Sequence, residues 1–446
     1  MRLSSSFQQH SSKDHAQLGF GAALIPSLLL LLLSGNKVEA TSHPIHGRLV
    51  QPRSLPYTLN ARAADTRPIK IKNQCAETVH PAILTQSGGG PSTSGFELPA
   101  GKCKTLDVGP DWQGRVWGRT NCTFNSAGTG GVDGGFDGSG KACLTGDCAG
   151  GLECTASGQT PVTLAEFTLS SASGQAFYDI SLVDGYNLPL AIVLLAGGND
   201  TFNDIPPNLT NPSCVGTGAL LADQGYDPYN GTSPEFLGTN SSYPLPFDES
   251  ETMKSLSRWC PWSLQLQPPT KPGDGVYPYP DDEIPRPDFD PCYSACAKNN
   301  QPSDCCTEAY NTPMTCKPGL YSMNAKAACP DAYSYAYDDM TSTFIVPSGS
   351  GFEVVFCPGG RSTSIFRSMS TMVQQLSTTG RVDPQIMQEV MREQVVKKSD
   401  AALLGTAWTS EKTWLVTLTV LLTFAWSDLL PLQRTLQGAL GNKAVE

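Results

Sequence analysis

The chain has 446 residues, a formal net charge of −11 and 16% charged residues, with an isoelectric point near 5.0. That balance disfavours polyanionic partners such as nucleic acid or an anionic lipid surface, and leaves neutral polysaccharide open. Fifteen cysteines in a chain too long for one small disulfide knot suit one large domain with tails, folded in an oxidising compartment.

Arg2, Lys13 and His15 precede an apolar run over 18–33, and Val38-Glu39-Ala40 offers a small-residue cleavage site. This is the pattern of a secretory signal peptide over 1–40; the run is interrupted by Pro26 and falls short of the roughly 20 residues that span a bilayer. Residues 41–67 read as an irregular polar tail. Asn121, Asn199, Asn208, Asn230 and Asn240 each open an Asn-X-Ser/Thr sequon, four of them crowded into 199–240, so glycosylation on an exposed loop is expected there.

From Pro68 short runs at 69–72, 78–84, 104–108, 114–120, 162–169 and 176–183 are broken by Gly, Ser, Pro or Asn, the spacing of an all-β sandwich. The glycine-rich stretch 124–141 forms no regular element, and lacks the Gly-Lys-Ser/Thr and following helix of a phosphate loop. Residues 201–330 hold eight cysteines and the proline-rich acidic stretch 268–291, as expected of a loop-rich lobe held by bridges. Asp290-Pro291 reads as an N-cap and first helical position, which would set Cys292 and Cys296 on one helix face. Strands resume at 341–346 and 352–356.

After Pro358, the Ser/Thr-rich segment 362–379 reads as a linker, and Ile386, Met387, Val390, Met391 and Val395 give 381–398 the spacing of an amphipathic helix. The apolar stretch 414–426 is too short to span a bilayer. A glycolipid-anchor signal would begin at Ser399-Asp400-Ala401, but 427–446 breaks its pattern, so membrane attachment and free secretion both stay open. The expected organisation is 68–358 as the domain, with a sandwich over 68–200 and 331–358 and a lobe over 201–330, then a linker and helix over 359–412 and a hydrophobic tail over 413–446.

Glu166 lies in an otherwise apolar, Thr-rich strand, and 168–176 reads as a return turn. A hairpin centred on Ala172-Ser173 opposes residues whose numbers sum to 345, which sets Glu166 against Asp179. Directly opposed Cβ atoms lie roughly 4.5–5.5 Å apart, so the two carboxyls would meet the ~5 Å separation of retaining glycosidases or, splayed, the ~6.5–9.5 Å of inverting ones. Like charge would push one pKa up and give an acid and a base. Asp184 has the opposite strand parity and joins them only if the chain bends at Asp184-Gly185. Arg115, Trp117 and Arg119 share one strand face, where an arginine would hold carboxylates ionised. Tyr333, Tyr335 and Tyr337 alternate as either a sugar-stacking surface or a buried edge. His80 and the N-terminal histidines form no metal pattern, and no serine nucleophile elbow is present; no metal or cofactor is expected.

The stretch GSGKACLTGDCAGGLEC (138–154) resembles the signature of the thaumatin-like family, the pathogenesis-related group 5 type. RVWGRTNCTF (115–124), TLAEFTL (163–169), DISLVDGYNLPL (179–190), CPDAYSYAYDD (329–339) and FEVVFCP (352–358) resemble its other blocks, in order, across 68–358. The resemblance implies a mainly β fold: a β-sandwich with a disulfide-rich loop and helix lobe and a small disulfide loop. It also implies the pairs Cys75–Cys357, Cys122–Cys143, Cys148–Cys154, Cys214–Cys329, Cys260–Cys292, Cys296–Cys305 and Cys306–Cys316. One family bridge is missing as a pair, with Val346 at one of its positions. Cys103 is extra and is expected as a buried free thiol. The implied cleft holds Arg115, Glu166, Asp179, Asp184 and Asp331, with Arg119 the alternative arginine and Asp338 close to Asp331. The implied function is a secreted or cell-wall monomer that binds β-1,3-glucan, with weak endo-β-1,3-glucanase or antifungal activity, Glu166 acting as general acid and Asp179 as nucleophile or base. The rival is a non-enzymatic extracellular protein that perturbs membranes or inhibits proteases. Sweet-taste activity goes with a basic surface and is set aside for this acidic chain.

Overall fold

Short β-rich runs pair into two sheets in the computed structural model, which describes residues 65–130, 140–197, 199–222, 236–248, 250–267 and 291–388. The strands are β1 (Arg67–Asn73), β2 (His80–Ser87), β3 (Cys103–Val108), β4 (Gln113–Cys122), β5 (Cys143–Thr145), β6 (Leu164–Thr168), β7 (Gln175–Ser181), β8 (Leu190–Leu195), β9 (Ser213–Cys214), β10 (Phe344–Pro347) and β11 (Gly351–Phe356). One sheet has the order β3-β1-β11-β8-β9; the other runs β10-β7-β6-β4-β2, with β5 on β4. The fold is mainly β. The parallel β1–β11 ladder joins the first strand to the last, and Cys75–Cys357 closes just beyond its end at Asn73↔Phe356.

Alternation sorts the side chains between two faces. On β7, Ala176, Tyr178 and Ile180 are buried inward, and the rings of Phe167 and Tyr178 meet Phe352 of the opposite sheet at 5.1 and 4.7 Å. Each such buried side chain contributes roughly 1.5–3 kcal/mol of transfer free energy. On the other face of β4 and β6, Trp117, Leu164, Ala82 and Val162 pack with the Cys148–Cys154 loop. Arg115, Glu166 and Asp179 lie beyond that cover.

Cys75–Cys357, Cys122–Cys143, Cys148–Cys154, Cys214–Cys329, Cys260–Cys292, Cys296–Cys305 and Cys306–Cys316 are bonded, the same pairs that the resemblance implies. Cys103 is free, but it is exposed and not buried, because it opens β3 at the edge of its sheet.

Other expectations change. The helix read from Asp290-Pro291 starts later, at Ala295–Asn299 with Ser294 as its cap, so Cys292 is not on it. Cys292 instead bridges backbone to Tyr186 and Gln265. The segment 362–379 is no linker: it forms the helices Ile365–Ser368 and Ser370–Thr379, the latter burying Met372, Val373 and Leu376. The Gln175 amide donates to Ser377 O at 2.7 Å, tying the second helix to the start of β7. The compact unit runs to Arg381, past Pro358; the second unit, Val382–Glu446, is described over 382–388, where 384–388 are helical. The signal segment 1–40, most of the tail 41–67, Asn230, the acidic stretch 268–290 and the C-terminal segment 413–446 lie outside the described residues. Among the described residues no helix is long and apolar enough to cross a membrane.

Candidate functional site

Arg115 on β4, Glu166 on β6 and Asp179 on β7 are consecutive register partners, Arg115↔Glu166 and Glu166↔Asp179, so three charged side chains form one row across three strands. Their parity is opposite to that of Phe167 and Tyr178, so the row faces away from the core. Arg115 Nε lies 3.5 Å from Glu166 Oε1, and Arg115 Nη1 lies 4.0 Å from Asp184 Oδ2. Asp184 reaches the row because the chain turns at Gly185, whose φ is 100° and whose N–H donates to Leu182 O at 3.0 Å. A Cβ at Gly185 would fall 2.5 Å from Cys292 O, so glycine is required there for both conformation and space. The site grades from rim to floor: the side chain of Asp184 is 38% exposed, Arg115 14% and Glu166 11%.

The 333–343 segment supplies the adjoining wall. Tyr333 exchanges backbone hydrogen bonds with Ile180 O and Leu182 N at 2.8 Å each, and its hydroxyl donates to Asp339 Oδ1 at 2.8 Å and meets Thr343 Oγ1. From the lobe, the Tyr321 hydroxyl donates to Leu182 O at 2.7 Å. Tyr333, Tyr335 and Tyr337 lie in irregular chain, not on one strand face, so their alternation has no geometric meaning.

Burial dominates the electrostatics. It pushes Glu166 up to about 7, against the opposing pull of Arg115 and a hydrogen bond from Ser181. It raises Asp179 well above the carboxylate range, and the charges of Glu166 and Asp339 add to that rise. Asp179 Oδ1 is buried with no hydrogen-bond partner among the described residues. Asp184 and Asp339 are also raised, by burial first.

Asp331 is not in this row. It is 2% exposed, and its Oδ2 and Oδ1 accept from Ile365 N at 2.8 Å and Phe366 N at 3.0 Å, holding the start of the helix Ile365–Ser368. Asp338 is likewise engaged elsewhere, by Ser334, Thr341 and Lys326. Asp339 is the acid that reasoning from sequence missed; its signal was the second aspartate of the Tyr-Asp-Asp run. Arg119 is fully buried, donating to His80 O at 3.0 Å, Gly151 O at 2.6 Å and Leu152 O at 2.7 Å, so of the two arginines it is Arg115 that stands beside the carboxyls. Among the sequons, Asn121 and Asn240 are exposed and Asn199 is half-buried, whereas Asn208 is fully buried with its amide donating to Pro244 O at 3.2 Å. That burial leaves Asn208 no room for a glycan in the folded chain. Among the described residues no group of three or more His, Cys, Asp or Glu is placed to hold a metal ion.

Comparison with known families matches residues 73–358 to the thaumatin family. The chain belongs to the thaumatin family. Thaumatin-like protein 1 of Arabidopsis thaliana is 34% identical over 310 residues, covering 68% of this chain and 90% of that protein. Pathogenesis-related protein 5 of the same plant is 34% identical over 288 residues, covering 65% and 89%. A glucan endo-1,3-beta-glucosidase of Prunus avium is 35% identical over 315 residues, covering 70% and 98%. In this thaumatin-family chain the acid row lies wholly within the matched span.

Proposed function

We propose that the chain is an exported monomer that binds β-1,3-glucan over Arg115, Glu166, Asp179, Asp184 and Asp339, and cleaves it slowly. The observation that carries this reading is the row Arg115–Glu166–Asp179, a cation beside two opposed carboxyls on the sheet face turned away from the core. Neutral sugar suits a site whose acids are held largely protonated, because a carboxyl group both donates and accepts hydrogen bonds to hydroxyls. The similar Prunus avium protein, named as a glucan endo-1,3-beta-glucosidase, supports the substrate class. The pathogenesis-related relative supports a defence setting.

Hydrolysis needs one protonated and one ionised carboxyl. Burial opposes ionisation of both carboxyls, but Arg115 and Ser181 stabilise negative charge on Glu166, whereas at Asp179 the charges of Glu166 and Asp339 add to burial against the pull of Arg115. Asp179 therefore holds the proton and gives it to the glycosidic oxygen as that bond breaks. Glu166 supplies the charged carboxylate, acting on the anomeric carbon directly or through a water. This exchanges the roles expected from sequence, where Glu166 was the acid. The binding part of the proposal is tested by depletion on insoluble β-1,3-glucan: the parent should be retained and Glu166→Gln/Asp179→Asn weakened. Equal retention of both proteins, or of neither, would remove the groove as the glucan site.

A further inference from the structure

The edge of β7 beside Asp179 is shared by two pieces of the chain. Strand β10 pairs with β7 from Gln175 to Tyr178, ending at Phe344↔Tyr178, and Tyr333 takes over beyond it, bridged to Ser181. Asp179 lies at the handover. One step on from Phe344 the register sets Thr343 opposite Asp179, with the strand parity of Ile345 and so on the side away from the core that carries Arg115, Glu166 and Asp179. The register row thus reaches a fourth position, and that position bears a hydroxyl.

The two hydroxyls at this edge are both turned elsewhere. Tyr333 Oη donates to Asp339 Oδ1 at 2.8 Å and meets Thr343 Oγ1. Each hydroxyl has one proton to give, so the chain from Thr343 through Tyr333 to Asp339 commits both. Asp179 Oδ1 stays buried with no hydrogen-bond partner among the described residues. Asp339 is fixed in its place: its backbone carbonyl accepts from Thr343 N at 3.2 Å, and the preceding Asp338 is held by Ser334 N at 3.1 Å, Thr341 Oγ1 at 2.9 Å and Lys326 Nζ at 3.0 Å.

We infer that Tyr333 is a positioning residue for Asp179: its hydroxyl, captured by Asp339, is the donor withheld from that carboxyl, and the withholding keeps Asp179 in its acid form. A buried carboxylate oxygen without a donor disfavours ionisation, because nothing replaces the water that would have solvated the charge. The charged and titratable groups around Asp179 are Glu166 from β6, Arg115 from β4, and Asp339 and Tyr333 from the wall, and of these Arg115 alone draws it towards ionisation. The Asp179 charge raises the Tyr333 hydroxyl in turn, so the two are within electrostatic reach. That Asp179 serves as the acid rests on the function proposed above, whereas the hydroxyl arrangement is a property of the free protein.

The test is an NMR titration of the Asp179 carboxyl carbon in the isotope-labelled full chain without glucan, so that its failure is separate from a failure to bind or cleave. Asp339→Asn removes a charge but keeps an acceptor for Tyr333, and should lower the titration midpoint of Asp179. Asp339→Ala removes the acceptor as well and frees the hydroxyl to donate to Asp179. Its midpoint should fall about one pH unit or more below that of Asp339→Asn. Adding Tyr333→Phe to Asp339→Ala should restore the Asp339→Asn midpoint, and adding it to Asp339→Asn should change nothing, a comparison that holds even if Asp339→Ala fails to fold. Equal midpoints in Asp339→Ala and Asp339→Asn, a drop that survives Tyr333→Phe, or a shift when Tyr333→Phe is added to Asp339→Asn would overturn the assignment.

Discussion

Arg115 and Glu166 stand directly opposite each other on β4 and β6, with Nε and Oε1 3.5 Å apart on a sheet face where both are largely covered. Burial works to neutralise Glu166 and the guanidinium works to keep it charged, so the arginine sets where the carboxylate titrates.

Arg115→Met removes that opposition. The rising limb of glucan hydrolysis with pH, expected near the Glu166 value of about 7, should then move upward by about one unit or more. Initial rates on laminarin across pH check this, and an unmoved limb would detach Arg115 from the titration of Glu166.

Stability gives a second handle on the same carboxyl. Glu166 in the unfolded chain titrates near 4.5, but the folded chain holds its proton to about 7. Between these values the native state binds more protons than the unfolded state, so the contribution of Glu166 to stability falls as pH rises and levels off above about 7. Glu166→Gln removes that slope. Relative to the parent, its melting temperature should rise between pH 4 and pH 8 by a few degrees, corresponding to roughly 1–3 kcal/mol.

Asp331 and Asp339 should separate cleanly. Asp331→Ala leaves the buried backbone N–H of Ile365 and the half-buried one of Phe366 without acceptors and should cost about 2–4 kcal/mol in denaturant unfolding, with glucan retention per folded molecule unchanged. Asp339→Asn should spare the fold. By removing a negative neighbour it should lower the pKa of Asp179 and pull the falling limb of the activity profile to lower pH.

The register of the site was legible because strand parity is a strict period of two. Once 168–176 was read as a turn, Glu166 had to face Asp179, and the turn signal at Gly185 accounted for Asp184. Asp331 was misplaced because its partners, Ile365 and Phe366, lie in a segment whose Ser/Thr-rich composition reads as linker and hides a returning helix. Asp339 depends on Tyr333 docking beside β7, a tertiary event with no local signature. The strand β8 was missed for a different reason: LAIVLL lacks alternation because its first four residues are all buried, and an unalternating apolar run carries no period. The helix Leu320–Ala328 has no side-chain N-cap to announce it.

The cysteines give the last check on the fold. Cys103, exposed at a sheet edge, should take up one maleimide per native molecule, and Cys103→Ala should be nearly neutral. Replacing Cys75 and Cys357 together by alanine should cost about 2–5 kcal/mol, because that bridge spans 282 residues and ties β1 to β11.

Whether Glu166 and Asp179 act as one acid and base pair on β-1,3-glucan is read from the rate of laminarihexaose cleavage by the parent, Glu166→Gln, Asp179→Asn and the double variant. Each single change should lower the rate by about 100-fold or more, and the double change should cost little beyond the larger single loss. Cleavage that persists in the double variant, or a parent that releases no product, would contradict that pairing.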